Sequence, residues 1–459
     1  MPDLIIRGGT LVEAGGRRDA DLVVDDGRIV DITPDAPAGA EEIDARGLHV
    51  LPGLIDVHLH FNEPGRTEWE GGASGSRALA AGGGTLFFDM PLNSSPCTVT
   101  PESFDAKRAA LEAVSITDFG LWGGLVPGHL GDMAEMAARG VVGFKAFMCS
   151  SGLPEFPRAD DATLLDGMRE AARLGLPVAV HAENDELTSA PRGGGARAFL
   201  ESRPVLAEVE AIQRAVLLAG EARAKLHIVH VSSGSGVAIA AEARRRGVDV
   251  SIETCPHYLY FTDEDIERLG VVLKCAPPLR SALEQEALWT ALLDGQVNII
   301  ASDHSPAEPA LKRGDFVSAW GGIAGVQSTL AVLLEQGHHL RRRRRDHVAQ
   351  RRRLALERIV DLIATEPARR FGIPGKGYLT PGADADLILV DLRESYTLAA
   401  ADLQQRHKTS PYVGDSFQGR VRRTIRRGET ICADGQITAR TGGRLVQPAS
   451  IERRRQHTR

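Results

Sequence analysis

The chain has 459 residues, of which 25% are charged and 43% hydrophobic, and its formal net charge is −7. This composition excludes global disorder and allows one large domain plus a smaller one. The acidic balance disfavours nucleic acid or an anionic membrane as a partner, so we expect a small-molecule substrate. Five cysteines without a regular spacing, and a start without a basic and then apolar leader, favour a cytoplasmic protein that lacks a disulfide framework.

The two ends of the chain have the character of all-β sequence. Residues 4–50 alternate short strands with turns, and residues 375–444 contain the strand-like run Ala-Asp-Leu-Ile-Leu-Val-Asp. Neither end is long enough to bury a core alone. We therefore predict three regions: one β-sandwich domain built from residues 1–50 plus 375–445, an inserted domain of residues 51–374, and a tail at 446–459.

Short β-branched runs alternate with Ala/Leu/Arg/Glu-rich segments in the central part of the chain, which is the pattern of repeated βα units. Helices are predicted between the strands, for example over 207–222 and 236–246. The α/β fold that follows is a closed (β/α)₈ barrel, whose chemistry lies at the C-terminal ends of the strands. The eight predicted strands are 55–60, 85–90, 117–122, 142–147, 177–182, 226–231, 248–253 and 297–303.

Histidines occur at three of these strand ends. His58 and His60 are two residues apart, so on a strand both imidazoles point to the same side, as a shared metal ion requires. His181 and His230 follow later strands at the same predicted end of the barrel. His227 precedes His230 by three residues, so alternation predicts that only one of the two points inward. We assign His230 to the site and a structural role to His227.

Lys145 and Asp303 complete the predicted strand-end set. Lys145 falls in a predicted core strand between aromatic neighbours, where an unpaired ammonium is costly to bury. A surface strand, a buried ion pair, or a neutral amine that reacts with carbon dioxide to form a metal-bridging carbamate would each resolve this conflict. Asp303, on the last strand, is either a turn residue or the carboxylate that receives a proton from the attacking water, and we favour the second interpretation.

A basic block spans residues 338–353 and contains Arg341 to Arg345 and Arg351 to Arg353. Such a run can mark a nucleic-acid patch. In a chain that is acidic overall, a solvated helix or loop, or a contact between subunits, is the favoured interpretation.

Taken together, these motifs resemble the cyclic amidohydrolases of the amidohydrolase superfamily, a group that includes allantoinases, dihydroorotases and hydantoinases or dihydropyrimidinases. The resemblance runs from about residue 4 to about residue 390. It implies a TIM-like barrel, a homotetramer by analogy, and two divalent metal ions, most often zinc with cobalt or manganese as alternatives, bridged by a carboxylated lysine. In this implied centre the metal ligands are His58, His60, carboxylated Lys145, His181, His230 and Asp303, and Asp303 is also the general base and acid.

The loops of the chain indicate which ring is cleaved. The run from Phe61 to Gly71 and the segment Phe-Lys-Ala-Phe-Met-Cys around Lys145 resemble those of allantoinases. Dihydroorotases carry an arginine where this chain has Asn62. Hydantoinases carry a tyrosine shortly after the carboxylated lysine, and this chain has no tyrosine there. The resemblance therefore implies hydrolysis of allantoin to allantoate. A hydantoinase or dihydropyrimidinase is the alternative, dihydroorotase a weaker one, and a non-catalytic scaffold is disfavoured by the intact ligand set. The substrate contacts we predict are Asn62, Asn93, Cys275 and Ser305.

Overall fold

The computed structural model of the protein describes residues 1–189, 191–340 and 353–449. Residues 341–352 of the basic block and residues 450–459 of the predicted tail lie outside this range. Among the described residues, no helix has both the length and the apolar character needed to cross a bilayer.

The strands fall into three runs along the chain. The first run is β1 (Leu4–Glu13), β2 (Gly16–Asp25), β3 (Arg28–Thr33), β4 (Glu41–Asp44) and β5 (His49–Pro52). The middle run is β6 (Leu54–Leu59), β7 (Gly84–Asp89), β8 (Asp118–Leu121), β9 (Gly123–Gly124), β10 (Phe144–Phe147), β11 (Pro177–His181), β12 (Lys225–Ile228), β13 (Val250–Thr254) and β14 (Ile299–Ile300). The last run is β15 (Leu387–Thr397), β16 (Ser416–Arg426), β17 (Glu429–Ala433) and β18 (Gln436–Ile437).

Helices separate the strands of the middle run and follow them. The α-helices are α1 (Gly72–Ala81), α2 (Pro101–Val114), α3 (Met133–Arg139), α4 (Asp161–Leu174), α5 (Ala196–Glu201), α6 (Val205–Ala222), α7 (Gly234–Arg245), α8 (Pro256–Tyr260), α9 (Asp263–Leu269), α10 (Ala282–Leu293), α11 (Thr329–Val332), α12 (Leu356–Val360) and α13 (Glu366–Phe371). Short 3₁₀ turns cover Leu130–Asp132, Gly270–Leu273, Val326–Ser328 and Ala400–Asp402, and π-helical turns cover Leu333–His338 and Asp361–Thr365.

Strands from both chain ends form one nine-stranded sheet in the order β18-β17-β16-β15-β5-β1-β2-β3, with β4 paired to β1. The C-terminal strand β15 lies antiparallel beside the N-terminal strand β5. The two ends therefore bury their apolar side chains together, as their individual shortness requires. The domain boundaries at residues 50 and 375 stay a prediction.

The middle strands are parallel and form the barrel. The barrel strands form a three-stranded sheet, β6-β7-β8, and a six-stranded sheet, β9-β10-β11-β12-β13-β14. A bridge between Leu59 and His304 pairs the first strand with the segment after the last one. The predicted α/β barrel is confirmed, and the predicted strands and helices lie close to the observed ones. The last strand is an exception, because only Ile299–Ile300 is regular. Asp303, at the predicted end of this strand, has a φ of 43° and therefore lies outside the strand conformation.

Candidate metal centre

The paired histidines lie at the C-terminal end of β6, the first barrel strand. His58 and His60 are both buried, and the Nε2 atoms of their rings lie 3.3 and 3.4 Å from Oδ1 of Asp303. The main chain holds this geometry, since Asp303 N donates to His58 O and His60 N donates to His304 O. Closure of the barrel, which pairs its first and last strands, therefore brings these three side chains together. Their ligand atoms all lie within 4.8 Å of one another.

The later histidines face the same centre. Nδ1 of His181, at the end of β11, lies 3.0 Å from Nε2 of His230, and the ring of His230 lies 5.3 Å from that of His58. Burial, opposed in part by a hydrogen bond to Glu183, lowers the pKa of His181. Burial, followed by the charges of His181 and Lys145, lowers the pKa of His230 well below its usual value. Both rings are therefore neutral at physiological pH, which is the form that binds a metal ion.

The prediction that only one of His227 and His230 points inward is wrong. Nε2 of His227 lies 3.0 Å from Glu253, a carboxylate that also contacts His58, so His227 and His230 both turn toward the same interior. The alternation argument fails because His230 lies beyond the end of β12 with a φ of 40°. A residue in that conformation no longer follows the pleat of the strand.

Lys145, on β10, is fully buried, and its Nζ has no hydrogen-bond partner among the residues that the structure describes. The ammonium position lies 5.0 Å from the centroid of the Phe147 ring, which stacks on His181. Burial lowers the pKa of Lys145 to about 8, although the charges of Glu253 and Asp303 oppose the shift. Of the three interpretations drawn from the sequence, a surface strand and a directly paired ammonium are excluded by this geometry.

The Asp303 carboxylate carries the opposite charge preference. Its burial opposes ionisation, but the charge of His58 and a hydrogen bond with His60 outweigh burial and hold its pKa at about 2. Asp303 is therefore an ionised, metal-binding or proton-accepting group at neutral pH. An open cavity of about 430 Å³ is lined by all six predicted ligands, namely His58, His60, Lys145, His181, His230 and Asp303.

The predicted substrate contacts divide into two groups. Asn93, Cys275 and Ser305 line the cavity, and the Asn93 amide donates to the Ser305 hydroxyl over 3.4 Å. Asn62 does not line it, and its side-chain amide donates to the carbonyl of Pro306 over 3.4 Å. Asn62 and Asn93 have φ values of 63° and 71°, the left-handed conformation that asparagine tolerates better than most residues. Such strain is concentrated at functional sites.

Several residues around the cavity were not given a role by the sequence. Glu253 and Glu183 are fully buried carboxylates that contact His58 and His181, respectively, over 2.8 Å. Cys149 joins His181 and Glu183 in a second cluster of potential ligand atoms. The position of Glu253 at a strand end was the one sequence signal available. The remaining wall of the cavity includes Phe199, Arg203, Lys274 and Trp320.

The residues at this centre fit a divalent metal ion. Within the described part of the chain, three buried atoms lack hydrogen-bond partners, namely Nδ1 of His60, Nδ1 of His230 and Nζ of Lys145. A buried polar atom without a partner is costly. Neutral imidazoles beside an ionised carboxylate are the donor set that zinc and similar ions prefer. Conversion of the Lys145 amine into an anionic ligand would complete this donor set.

Residues 49–431 match the sequence profile of the Amidohydrolase family. The chain belongs to this family. An allantoinase of Solibacter usitatus is 59% identical over 98% of this chain and 97% of its own, and one of Rubrobacter xylanophilus is 56% identical over 97% and 98%. The solved L-hydantoinase (dihydropyrimidinase) of Arthrobacter aurescens superposes with a TM-score of 0.92, at 34% identity, over 97% of this chain and all of its own.

Membership in the family, with these neighbours, confirms the cyclic amidohydrolase resemblance drawn from the motifs. The protein is an amidohydrolase, an enzyme that acts on a small molecule. The family also implies a binuclear metal centre, and the cluster of His58, His60 and Asp303 is consistent with one.

Proposed function

We propose that the protein hydrolyses the ring amide of allantoin to give allantoate. The observation that carries the chemistry is the convergence of His58, His60, Lys145, His181, His230 and Asp303 on one cavity. The choice of ring is supported by relatives named allantoinase that are 59%, 56% and 52% identical over nearly the whole chain.

Two divalent ions would be held by the four histidines, Asp303 and a carboxylated Lys145, with zinc as the first expectation and cobalt or manganese as alternatives. When bound, they supply Lewis acidity and lower the pKa of water. The burial of Lys145 favours its carboxylation. A neutral amine adds to the carbon of carbon dioxide, forms one N–C bond and releases one proton, which turns a cation into an anionic ligand. The lowered pKa of Lys145, about 8, supports this step because it enlarges the neutral fraction.

Asp303 carries the proton of the reaction. Its ionised carboxylate accepts a proton from the attacking water as that water adds to the ring carbonyl. The same carboxyl then gives this proton to the ring nitrogen as the C–N bond breaks, and the ring opens to a carboxylic acid. The acid releases the second proton of the water to solvent and becomes a carboxylate, while Asp303 returns to its ionised starting state. Oδ1 of Asp303 lies 3.3 and 3.4 Å from the Nε2 atoms of His58 and His60, so the carboxylate would stand beside a metal ion held by these two histidines and beside a water on that ion.

The polar residues at the mouth would orient the ring. Asn93 and Ser305 offer an amide and a hydroxyl to the ureido and imide groups, and the backbone at Cys275 offers further polar atoms. Asn62 contributes only if its side chain leaves Pro306. Neutral groups of this kind suit a neutral ureide, whereas the carboxylate of dihydroorotate would call for a bidentate arginine. The two cations of the cavity wall are already engaged, since Arg203 donates to Glu183 and Lys274 donates to backbone carbonyls.

A hydantoinase or dihydropyrimidinase is the second candidate function. It is favoured by the likeness to solved hydantoinases, which extends over 97% of the chain at a TM-score of 0.92. Such an enzyme would use the same metal ligands and differ in the loops that bind the ring. A dihydroorotase, or a scaffold without activity, has less support.

A substrate panel tests these alternatives. Initial rates on allantoin, hydantoin, dihydrouracil and dihydroorotate would be measured with the metal- and bicarbonate-supplemented protein, and with Lys145→Ala as the inactive control. Preference for allantoin that disappears in the control is the expected result. Preference for another ring would overturn the substrate but keep the chemistry. No turnover of any ring by metal-loaded protein would refute both enzyme proposals.

We propose a cytoplasmic homotetramer, by analogy with the family for the assembly and from five buried, unbridged cysteines for a reducing compartment. Light scattering of the purified chain and cell fractionation would test the two statements. A monomer, or a protein exported from the cell, would contradict them.

A further inference from the structure

The carboxylate of Glu253, on β13, is fully buried in the interior of the barrel and accepts three hydrogen bonds there. Its Oε1 accepts from Nδ1 of His58 over 2.8 Å and from the backbone N of His230 over 2.9 Å. Its Oε2 accepts from Nε2 of His227 over 3.0 Å. A buried charge is tolerated when donors converge on it in this way.

We infer that Glu253 is the positioning residue of the metal centre, which fixes the tautomer and orientation of His58 and the backbone position of His230. This inference rests on the proposed function, because it takes His58 and His230 to be metal ligands. The contacts carry it, since one carboxyl oxygen binds both the ring of one ligand and the main chain of another.

The tautomer of His58 follows from the chemistry of its partner. An ionised carboxylate only accepts hydrogen bonds, so Nδ1 of His58 must carry the proton. The other nitrogen, Nε2, then keeps its lone pair, and it is the atom that lies 3.3 Å from Asp303 at the cavity. A histidine held in this manner presents its lone pair without a search among tautomers or ring orientations.

The contact to His230 acts on the main chain. His230 lies beyond β12 with a φ of 40°, a conformation that costs free energy for a residue with a Cβ atom. The hydrogen bond from its N–H to Glu253 stabilises this conformation. The side chain is thereby directed toward His181, whose Nδ1 lies 3.0 Å from Nε2 of His230.

His227 completes the network and explains its own burial. It donates from Nε2 to Glu253, while its Nδ1 lies 2.8 Å from the hydroxyl of Ser251 and its ring stacks on Trp122. The structural role assigned to His227 from the sequence thus becomes specific: it holds the second oxygen of Glu253, so that the first stays aimed at His58.

Two substitutions separate the hydrogen bonds of Glu253 from its charge. In Glu253→Ala both are lost. In Glu253→Gln the amide oxygen can still accept from His58 and from the N–H of His230. The opposite orientation of the amide would point its NH2 group at these two donors, so it is disfavoured. The amide nitrogen then faces His227, which moves its proton to Nδ1 and donates to Ser251. Glu253→Gln is therefore the conservative variant, and it is expected to keep the orientation of His58.

The experiment measures metal affinity by chelator competition and metal content by mass spectrometry, on the full chain and without substrate. The metal-free protein of each variant is also melted to record its stability. The matched control is Glu208→Gln, because Glu208 is another fully buried carboxylate whose partners are Ser232 and Ser233 rather than a histidine.

We expect Glu253→Ala to weaken metal binding by about 10- to 100-fold, Glu253→Gln to weaken it less, and Glu208→Gln to bind as the unsubstituted chain does. Variants of Glu253 that melt lower but bind metal with unchanged affinity would overturn the inference, since a purely structural role predicts that pattern. If Glu253→Ala does not fold, Glu253→Gln decides the question, and a loss of metal affinity in Glu253→Gln that is no greater than in Glu208→Gln overturns the inference. Failure of the unsubstituted chain to bind metal would instead refute the proposed metal centre.

Discussion

Two buried lysines, Lys145 in the barrel and Lys376 where the barrel meets the terminal sheet, have opposite surroundings. Lys376 donates to Asp118 on β8 and to Asp386 next to β15, each over 2.7 Å, and lies 3.0 Å from Asp384. Burial opposes its charge, but these three carboxylates outweigh burial and raise the pKa of Lys376 above its usual value. Lys145 has no such partner in the ranges that the structure covers, and burial lowers its pKa to about 8.

The number of charged partners distinguishes a structural buried lysine from a reactive one. A lysine whose charge is paired contributes to the attachment of one sheet to another, and its proton is held tightly. A lysine buried without a partner lowers stability, because the folded chain carries a desolvated amine that water would have solvated. Proteins keep such groups where the reactivity of the neutral amine is used.

The largest effect is expected from Lys145→Met, which keeps the shape of the side chain and removes the amine. Catalysis should fall by about 1,000-fold or more, since a metal ligand is lost and metal ions contribute several kcal/mol to such reactions. Stability should be unchanged or increased, because an unpartnered polar atom disappears. Initial rates and thermal melts of the metal-free protein would check both. A strong loss of stability would show that Lys145 is structural.

The converse substitution, Lys376→Met, should destabilise the chain by about 3–5 kcal/mol, because it leaves Asp118 and Asp386 buried with less positive charge. Urea unfolding would measure the loss, and metal content per folded molecule should not change. Because the pKa of Lys376 is raised, its contribution is fully present below pH 10.5 and is lost as the pH rises further. A variant as stable as the unsubstituted chain would remove the basis of the comparison.

Carboxylation of Lys145 should depend on pH in a way that an ordinary lysine does not. With a pKa of about 8, about one amine in ten is neutral at pH 7, against about one in 3,000 for a lysine at 10.5. The rate of carbamate formation at fixed carbon dioxide should rise about tenfold per pH unit up to pH 8 and then level off. Carbon-13 NMR of metal-free protein with labelled carbon dioxide would follow it. A rise that continues toward pH 10 would contradict the lowered pKa.

The smallest effect is expected at the mouth of the cavity, where polar groups are partly paired. Ser305→Ala should lower kcat/KM for allantoin by about fivefold, because one neutral hydrogen bond is worth about 1 kcal/mol. Ser235→Ala is the matched control, because the Ser235 hydroxyl donates to Glu284 on the surface. Equal kinetics for the two variants would show that Ser305 does not contact the ring.

The barrel and most of the predicted site could be derived from the sequence because their signals are local. A strand of β-branched residues that ends in His58-Leu59-His60 specifies its own side-chain alternation, and repeated βα units specify which strand ends meet. The prediction for His227 and the end of the last strand failed at His230 and Asp303. Both residues leave the regular strand with positive φ, and no neighbouring residue type announces that change.

The sequence by itself predicted the parallel barrel, the joining of the two chain ends in one β domain and the types of the candidate ligands, because each depends on periodicity or on residue chemistry within a few positions. Only the tertiary structure decided that Glu253, 195 residues from His58, holds its ring, and that Lys145 is unpartnered whereas Lys376 is paired three times. The physical reason is that solvation and pairing of a buried charge depend on groups brought together by barrel closure. Sequence spacing carries no record of those contacts.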